Sequence, residues 1–181
     1  GLPRLDRIQT VHMHYGDIEA LQAVFAHYRG RIRAVAVEGI LGDGGVIPAS
    51  QAWWQALFDA AAAEDARIID DEVLTGLRCG GVLAVPPGFS PDCICMGKGL
   101  GFVLFPISAV AWRRSALGLR AGIGVRTFNA RPFQAAMVDA GLAMVEERQL
   151  FARSTQLGEW LREALRGVSR RMPAVFKDVR G

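Results

Sequence analysis

Apolar positions in this chain recur with two different periods, and the switches between them mark its elements. From Asp17 to about Tyr28, Leu21, Val24 and Phe25 fall on one face of a helical repeat, and Asp17 is a side chain suited to cap it. Ile32 to Val37 reads as a short buried strand that ends at Glu38 and runs into the turn-rich stretch Gly39-Ile40-Leu41-Gly42-Asp43-Gly44-Gly45. Ser50 can cap a second helix, which carries Trp53, Leu57 and an alanine run to about Glu64. Arg67 to Asp71 and Cys93 to Met96 are two further strands. The chain turns helical again from Pro132 to about Gln149 and from about Phe151 to Arg171, where Leu157, Trp160, Leu161 and Leu165 make an apolar stripe. Strands alternating with helices predict an α/β fold, a mainly parallel sheet flanked by helices.

The length of 181 residues allows one large domain or part of a larger one, and a 51% hydrophobic content rules out a disordered or collagen-like chain. The net charge of +3 comes from arginines scattered over predicted helices, without a basic run interleaved with aromatics, so no nucleic-acid partner is expected. No membrane span is expected either: the apolar stretch from Gly101 to Trp112 is too short and contains Pro106. Cys79, Cys93 and Cys95 form an odd set with no disulfide framework, which suits a reducing, cytoplasmic setting. The N-terminus has no starting methionine and no signal-peptide pattern, as expected of a chain that begins inside a longer polypeptide.

Charge composition gives the first chemical lead. Lys98 and Lys177 are the only lysines among 21 basic residues. Lys98 sits in Cys93-Ile94-Cys95-Met96-Gly97-Lys98-Gly99-Leu100-Gly101, directly after an apolar strand and between glycines. Arginine cannot lose its proton in a protein; a desolvated lysine amine can, and it is then a nucleophile able to form a Schiff base. Glu38, the pair Asp71-Glu72 and Lys98 all follow apolar strands, where α/β proteins commonly gather ligand-binding groups. Taken singly, each is equally a structural ion pair or a solvated loop charge.

Other patterns carry less. Gly97-Lys98-Gly99 lacks the upstream glycine and the following hydroxyl of a phosphate-binding loop, and no glycine fingerprint of a dinucleotide binder is present. His12 and His14 have no nearby acid or cysteine to complete a metal set, so no metal is expected. No serine-histidine-acid arrangement is suggested.

Taken in order, Ile68-Ile69-Asp70-Asp71-Glu72-Val73-Leu74-Thr75-Gly76, then Pro91-Asp92 and Gly97-Lys98-Gly99-Leu100-Gly101, resemble the signature of class III pyridoxal-phosphate aminotransferases. That group includes ornithine and acetylornithine aminotransferases and glutamate-1-semialdehyde aminomutase. The resemblance extends back to Tyr15-Gly16-Asp17 and Val37-Glu38-Gly39, and forward through Thr127-Phe128-Asn129-Ala130-Arg131-Pro132 to Asp178-Val179-Arg180-Gly181. It implies part of the large domain of a fold-type I pyridoxal-phosphate transferase, residues 1–181, with the upstream phosphate-cup segments and the C-terminal small domain absent.

The resemblance also implies roles. Lys98 would bind pyridoxal 5'-phosphate as a Schiff base and shuttle a proton; Asp71 would pair with its pyridinium nitrogen; Val73 would pack on the ring. Thr127 would reach the cofactor phosphate of a neighbouring subunit, implying a homodimer with shared sites. Glu38 resembles a glutamate that pairs with a substrate-gating arginine. The implied reaction moves an amino group between an amine or amino acid and a keto acid or aldehyde. The alternatives are an aminomutase of the same family and a non-catalytic dimerising homologue. Three features depart from the family pattern: Leu74 stands in place of a glutamine, Phe102-Val103-Leu104-Phe105 replaces a glycine-rich stretch, and Arg131 precedes the proline.

Overall fold

The computed structural model of the chain describes residues 9–116, 127–129 and 131–181. Helix α1 (Ile18–His27) starts where Asp17 accepts a 2.9 Å hydrogen bond from the Ala20 amide. It leads into strand β1 (Ala34–Val37), two residues shorter at its start than the apolar run suggests. The turn-rich stretch that follows contains a small hairpin that hydropathy does not reveal, β2 (Ile40–Leu41) against β3 (Ile47–Pro48). Ser50 caps helix α2 (Gln51–Ala63) through a 3.2 Å bond from the Trp53 amide. Then come β4 (Arg67–Glu72), β5 (Cys93–Met96) and β6 (Ala109–Trp112). Helices α3 (Pro132–Glu147) and α4 (Leu150–Arg171) complete the order, with Pro132 in the first turn of α3, where its missing N–H costs nothing.

The main sheet has the order β1-β4-β5-β6. β1, β4 and β5 are parallel, Val37 level with Asp70 and Asp71 level with Cys95; β6 closes the edge antiparallel to β5. The largely parallel α/β sheet expected from the pattern is therefore present, with one antiparallel edge strand drawn from the apolar stretch around Pro106. Asp92 locks the entry to β5, its carboxylate accepting from the Ile68 amide at 2.9 Å while its own amide donates to the Ile68 carbonyl at 2.9 Å.

The core lies on one face of this sheet. Leu21 and Phe25 of α1 and Trp53, Trp54, Leu57 and Ala61 of α2 pack with Val37 and Ile68. Tyr15, Trp53, Trp54, Phe58 and Phe89 continue this core as a chain of ring contacts with centroids 5.0–6.3 Å apart. Cys93 and Cys95 share the opposite face, Cys93 buried and Cys95 half-buried, and all three cysteines are free thiols. α3 packs on α4 and on the turn that holds Lys98, and α4 buries none of its residues.

Candidate active site

Three parallel strands running in one direction deliver their C-terminal ends to one edge of the sheet. Glu38 leaves β1 there, Asp71 lies at the end of β4, and Lys98 opens a 3-10 turn (Lys98–Gly101) just beyond β5. Glu38, Asp43, Asp71, Val73, Leu74 and Lys98 line one cleft of about 130 Å³. Four of the five residues singled out from the sequence are thus brought together. The fifth, Thr127, lies on an exposed turn and does not line this cleft. Ala130 of the same run lies outside the described residues.

Local geometry holds the acids in place. Asp71 Oδ1 accepts a 3.0 Å hydrogen bond from the Val73 amide, which fixes the carboxylate at the strand end and leaves its second oxygen to the cleft. Glu38 Oε2 accepts from the Gly42 amide at 3.0 Å and so pins the turn that carries Asp43. Below it the Tyr15 hydroxyl donates to the carbonyls of Glu38 and Gly39 at 3.1 and 3.0 Å. Burial, with the charges of Glu38 and Asp70 nearby, pushes that phenol up to about 12, so Tyr15 serves as a fixed donor and not as a base.

Two glycines allow the close approaches. A Cβ on Gly42 would lie 2.1 Å from Leu74 Cδ2, so only glycine lets Leu74 close that side of the cleft. A Cβ on Gly97 would touch Val73 Cγ1 at 3.4 Å, which sets Val73 beside the lysine turn. Lys98 has φ +34°, and Phe102 and Val103 after it have φ +47° and +66°. Non-glycine residues in this left-handed region carry backbone strain, and three of them cluster at the lysine turn.

The desolvation that the sequence argument asked for at Lys98 is not supplied by the described residues, because its side chain is exposed at the cleft mouth. Gly97 and Leu100 on either side of it are buried. Sequence reasoning gave no role to Asp43, although it lay in the turn already marked; a carboxylate in a glycine-rich turn after a strand was the available signal. A larger hollow of about 340 Å³, lined by Arg166, Ser169, Arg170, Lys177, Asp178 and Val179, brings no candidate residue together. Two of its cations, Arg166 and Arg170, are already paired with Glu163.

A parallel α/β sheet with an amine and a carboxylate at the same strand-end cleft is the arrangement in which α/β folds bind small molecules. Comparison with known proteins narrows it: the family model described as Aminotransferase class-III matches residues 6–181, and the chain belongs to that family. Ornithine aminotransferase, mitochondrial, from Oryza sativa is 32% identical over 170 residues, covering 92% of this chain and 36% of that protein. Glutamate-1-semialdehyde 2,1-aminomutase from Aeropyrum pernix is 36% identical over 171 residues, covering 91% of this chain and 39% of that protein. The solved structure of ornithine aminotransferase from Plasmodium yoelii superposes with a TM-score of 0.81 at 30% identity, covering 92% of this chain and 44% of that one. The chain thus spans about two fifths of the length of the relatives it matches. Among the described residues no helix is long and apolar enough to cross a membrane, and no cluster of side chains is arranged to hold a metal.

Proposed function

We propose that this chain is the central and later part of the large domain of a pyridoxal-phosphate-dependent transaminase. The observation that carries the reading is the meeting of Lys98, Asp71 and Val73 in one cleft at the strand ends. The donor set fits the cofactor: an amine for its aldehyde, a carboxylate for its ring nitrogen and an apolar side chain for its ring face. Pyridoxal phosphate, when bound, supplies the electron sink that a carbon next to an amino group lacks.

The residues of this chain would do the rest. Lys98 would anchor the cofactor, and its Nζ would hold the proton exchanged with the substrate α-carbon. Asp71, its Oδ1 already held by the Val73 amide, keeps the ring nitrogen protonated with its other oxygen. Val73 and Leu74 form the apolar wall, and Glu38 faces the substrate side. Thr127, exposed on a turn away from its own cleft, reaches the cofactor phosphate of a second subunit in a homodimer. The substrates are an amine or amino acid and a keto acid or aldehyde. Three free thiols suit a reducing compartment, the cytoplasm.

The test uses the intact protein incubated with pyridoxal phosphate and then reduced with borohydride. Peptide mapping should find the cofactor fixed on Lys98, and Lys98→Ala should remove the label and lower turnover by about 10²–10⁴-fold. No label on the wild-type protein, or a label on Lys177, would overturn the assignment.

A further inference from the structure

β4 carries three consecutive acids, Asp70, Asp71 and Glu72, and the pleat separates them. Asp71 goes to the cleft side. Asp70 and Glu72 share the other face, toward the tryptophan-rich core, and each has 0% exposure. Two carboxyl groups on alternate residues of a buried strand face need either donors or a proton.

Glu72 has donors. It accepts from the Thr75 hydroxyl, from the Ala84 amide at 2.5 Å and from the Val85 amide at 3.1 Å. It therefore ties both ends of the 75–85 loop to the strand, and the pair's negative charge sits where three donors meet it. Asp70 has none: no donor reaches either of its buried oxygens, and its polar neighbour is the Glu72 carboxyl, a second acceptor that it can hydrogen-bond only by carrying a proton. In register beside it stand Val37 of β1 and Ile94 of β5, both apolar. The charged groups that act on it are Glu72 first and then Asp71, both acids; Tyr15 ahead of α1 and Cys95 on β5 are further titratable neighbours, and Tyr15 also feels Glu38. Burial above all, and the Glu72 charge next, push the Asp70 carboxyl up to about 8.

We propose that the folded protein carries Asp70 as a neutral carboxylic acid, a positioning residue whose proton lets Glu72 hold the 75–85 loop in place. Ionisation of Asp70 on the alkaline side sets a second charge beside Glu72 and loosens the strand end that presents Asp71 and Val73 to the cleft. The inference concerns the strand itself and does not depend on which cofactor or substrate the cleft takes.

The sign follows from linkage. A carboxyl whose pKa is raised on folding binds its proton more tightly in the folded state than in the unfolded chain. Its contribution is fully present below the ordinary carboxylate value of 3.8 and is lost as pH rises toward about 8, where the loss levels off. Within that window one proton separates the two states, so the folding constant falls by up to about tenfold per pH unit.

The experiment compares denaturant unfolding of the intact wild-type protein and Asp70→Asn between pH 5 and 9. The wild-type folding constant should fall relative to that of the variant as pH rises to about 8, and then run parallel to it. Limited proteolysis within residues 75–85 should increase above pH 8 in the wild type and stay flat in Asp70→Asn. Should the variant fail to fold, infrared spectroscopy of the wild type with labelled aspartate still decides. A protonated-carboxyl C=O band that persists at pH 7 and disappears around pH 8 is expected. Parallel stability curves throughout, or loss of every protonated-aspartate band by pH 6, would overturn the proposal.

Discussion

Trp53 and Trp160 lie on helices that both carry an apolar stripe, yet Trp53 has 0% exposure and Trp160 has 69%. α2 sets its stripe on the sheet, with Trp53, Trp54 and Leu57 completely enclosed by α1, β1 and β4. α4 directs Leu157, Trp160, Leu161 and Leu165 outward, at 45–69% exposure. The period of a helix specifies which face needs a partner; it does not say which chain segment provides one. In the first half of the molecule the partner follows within a few tens of residues. α4 contacts α3, and none of its stripe residues is buried by the described residues.

That contrast can be tested first where the expected effect is greatest. Trp53→Ala removes a fully buried indole that contacts Tyr15 and Trp54 at centroid distances of 5.0 and 5.3 Å. Unfolding titrations should show a loss of about 3–5 kcal/mol. A loss below about 1 kcal/mol would mean that the α1–α2 side is not the core of the fold.

The helix starts offer a smaller test. Ser50→Ala deletes the side-chain acceptor of the Trp53 amide and should cost about 1 kcal/mol. The first residue before α4 is Gln149, left-handed at φ +50° and without a side-chain cap bond, so the corresponding Gln149→Ala change should remove no cap. Equal losses at both starts would contradict the capping geometry.

Both caps of the first half were legible in the sequence because Asp17 and Ser50 precede apolar-periodic runs, a purely local signal. So were the ends of β1 and β5, with β4 running one residue past the expected Asp71, and the meeting of Glu38, Asp71 and Lys98, since parallel strands bring their exits to one edge; Val73 was picked out by the family resemblance alone. Non-local features were not readable. The β2–β3 hairpin has strands of two residues each, too short for any period to register, and β6 was hidden in an apolar stretch with a proline. Asp70 shows the limit most sharply. As a letter it is one of three acids in a row, and only the pleat and the packing beneath it reveal that Asp70 is buried without a donor while Asp71 meets the cleft. The exposure of Lys98 has the same origin: whether an amine is desolvated depends on what lies over it, and neighbours in sequence decide only what lies beside it.

The smallest expected effect is the most discriminating between the two halves. Trp160 is already largely solvated in the described chain, so Trp160→Ser takes little further apolar surface out of contact and should change the stability of this chain by about 0.5 kcal/mol or less. The substitution replaces an exposed apolar ring on a stripe of four such residues, which makes the chain less adhesive without weakening its fold. Sedimentation should therefore show less self-association at an unchanged unfolding midpoint. If the midpoint falls as far as it does for Trp53→Ala, the α4 face is a buried surface in solution, and the two helices differ in the identity of their partner and not in whether they have one.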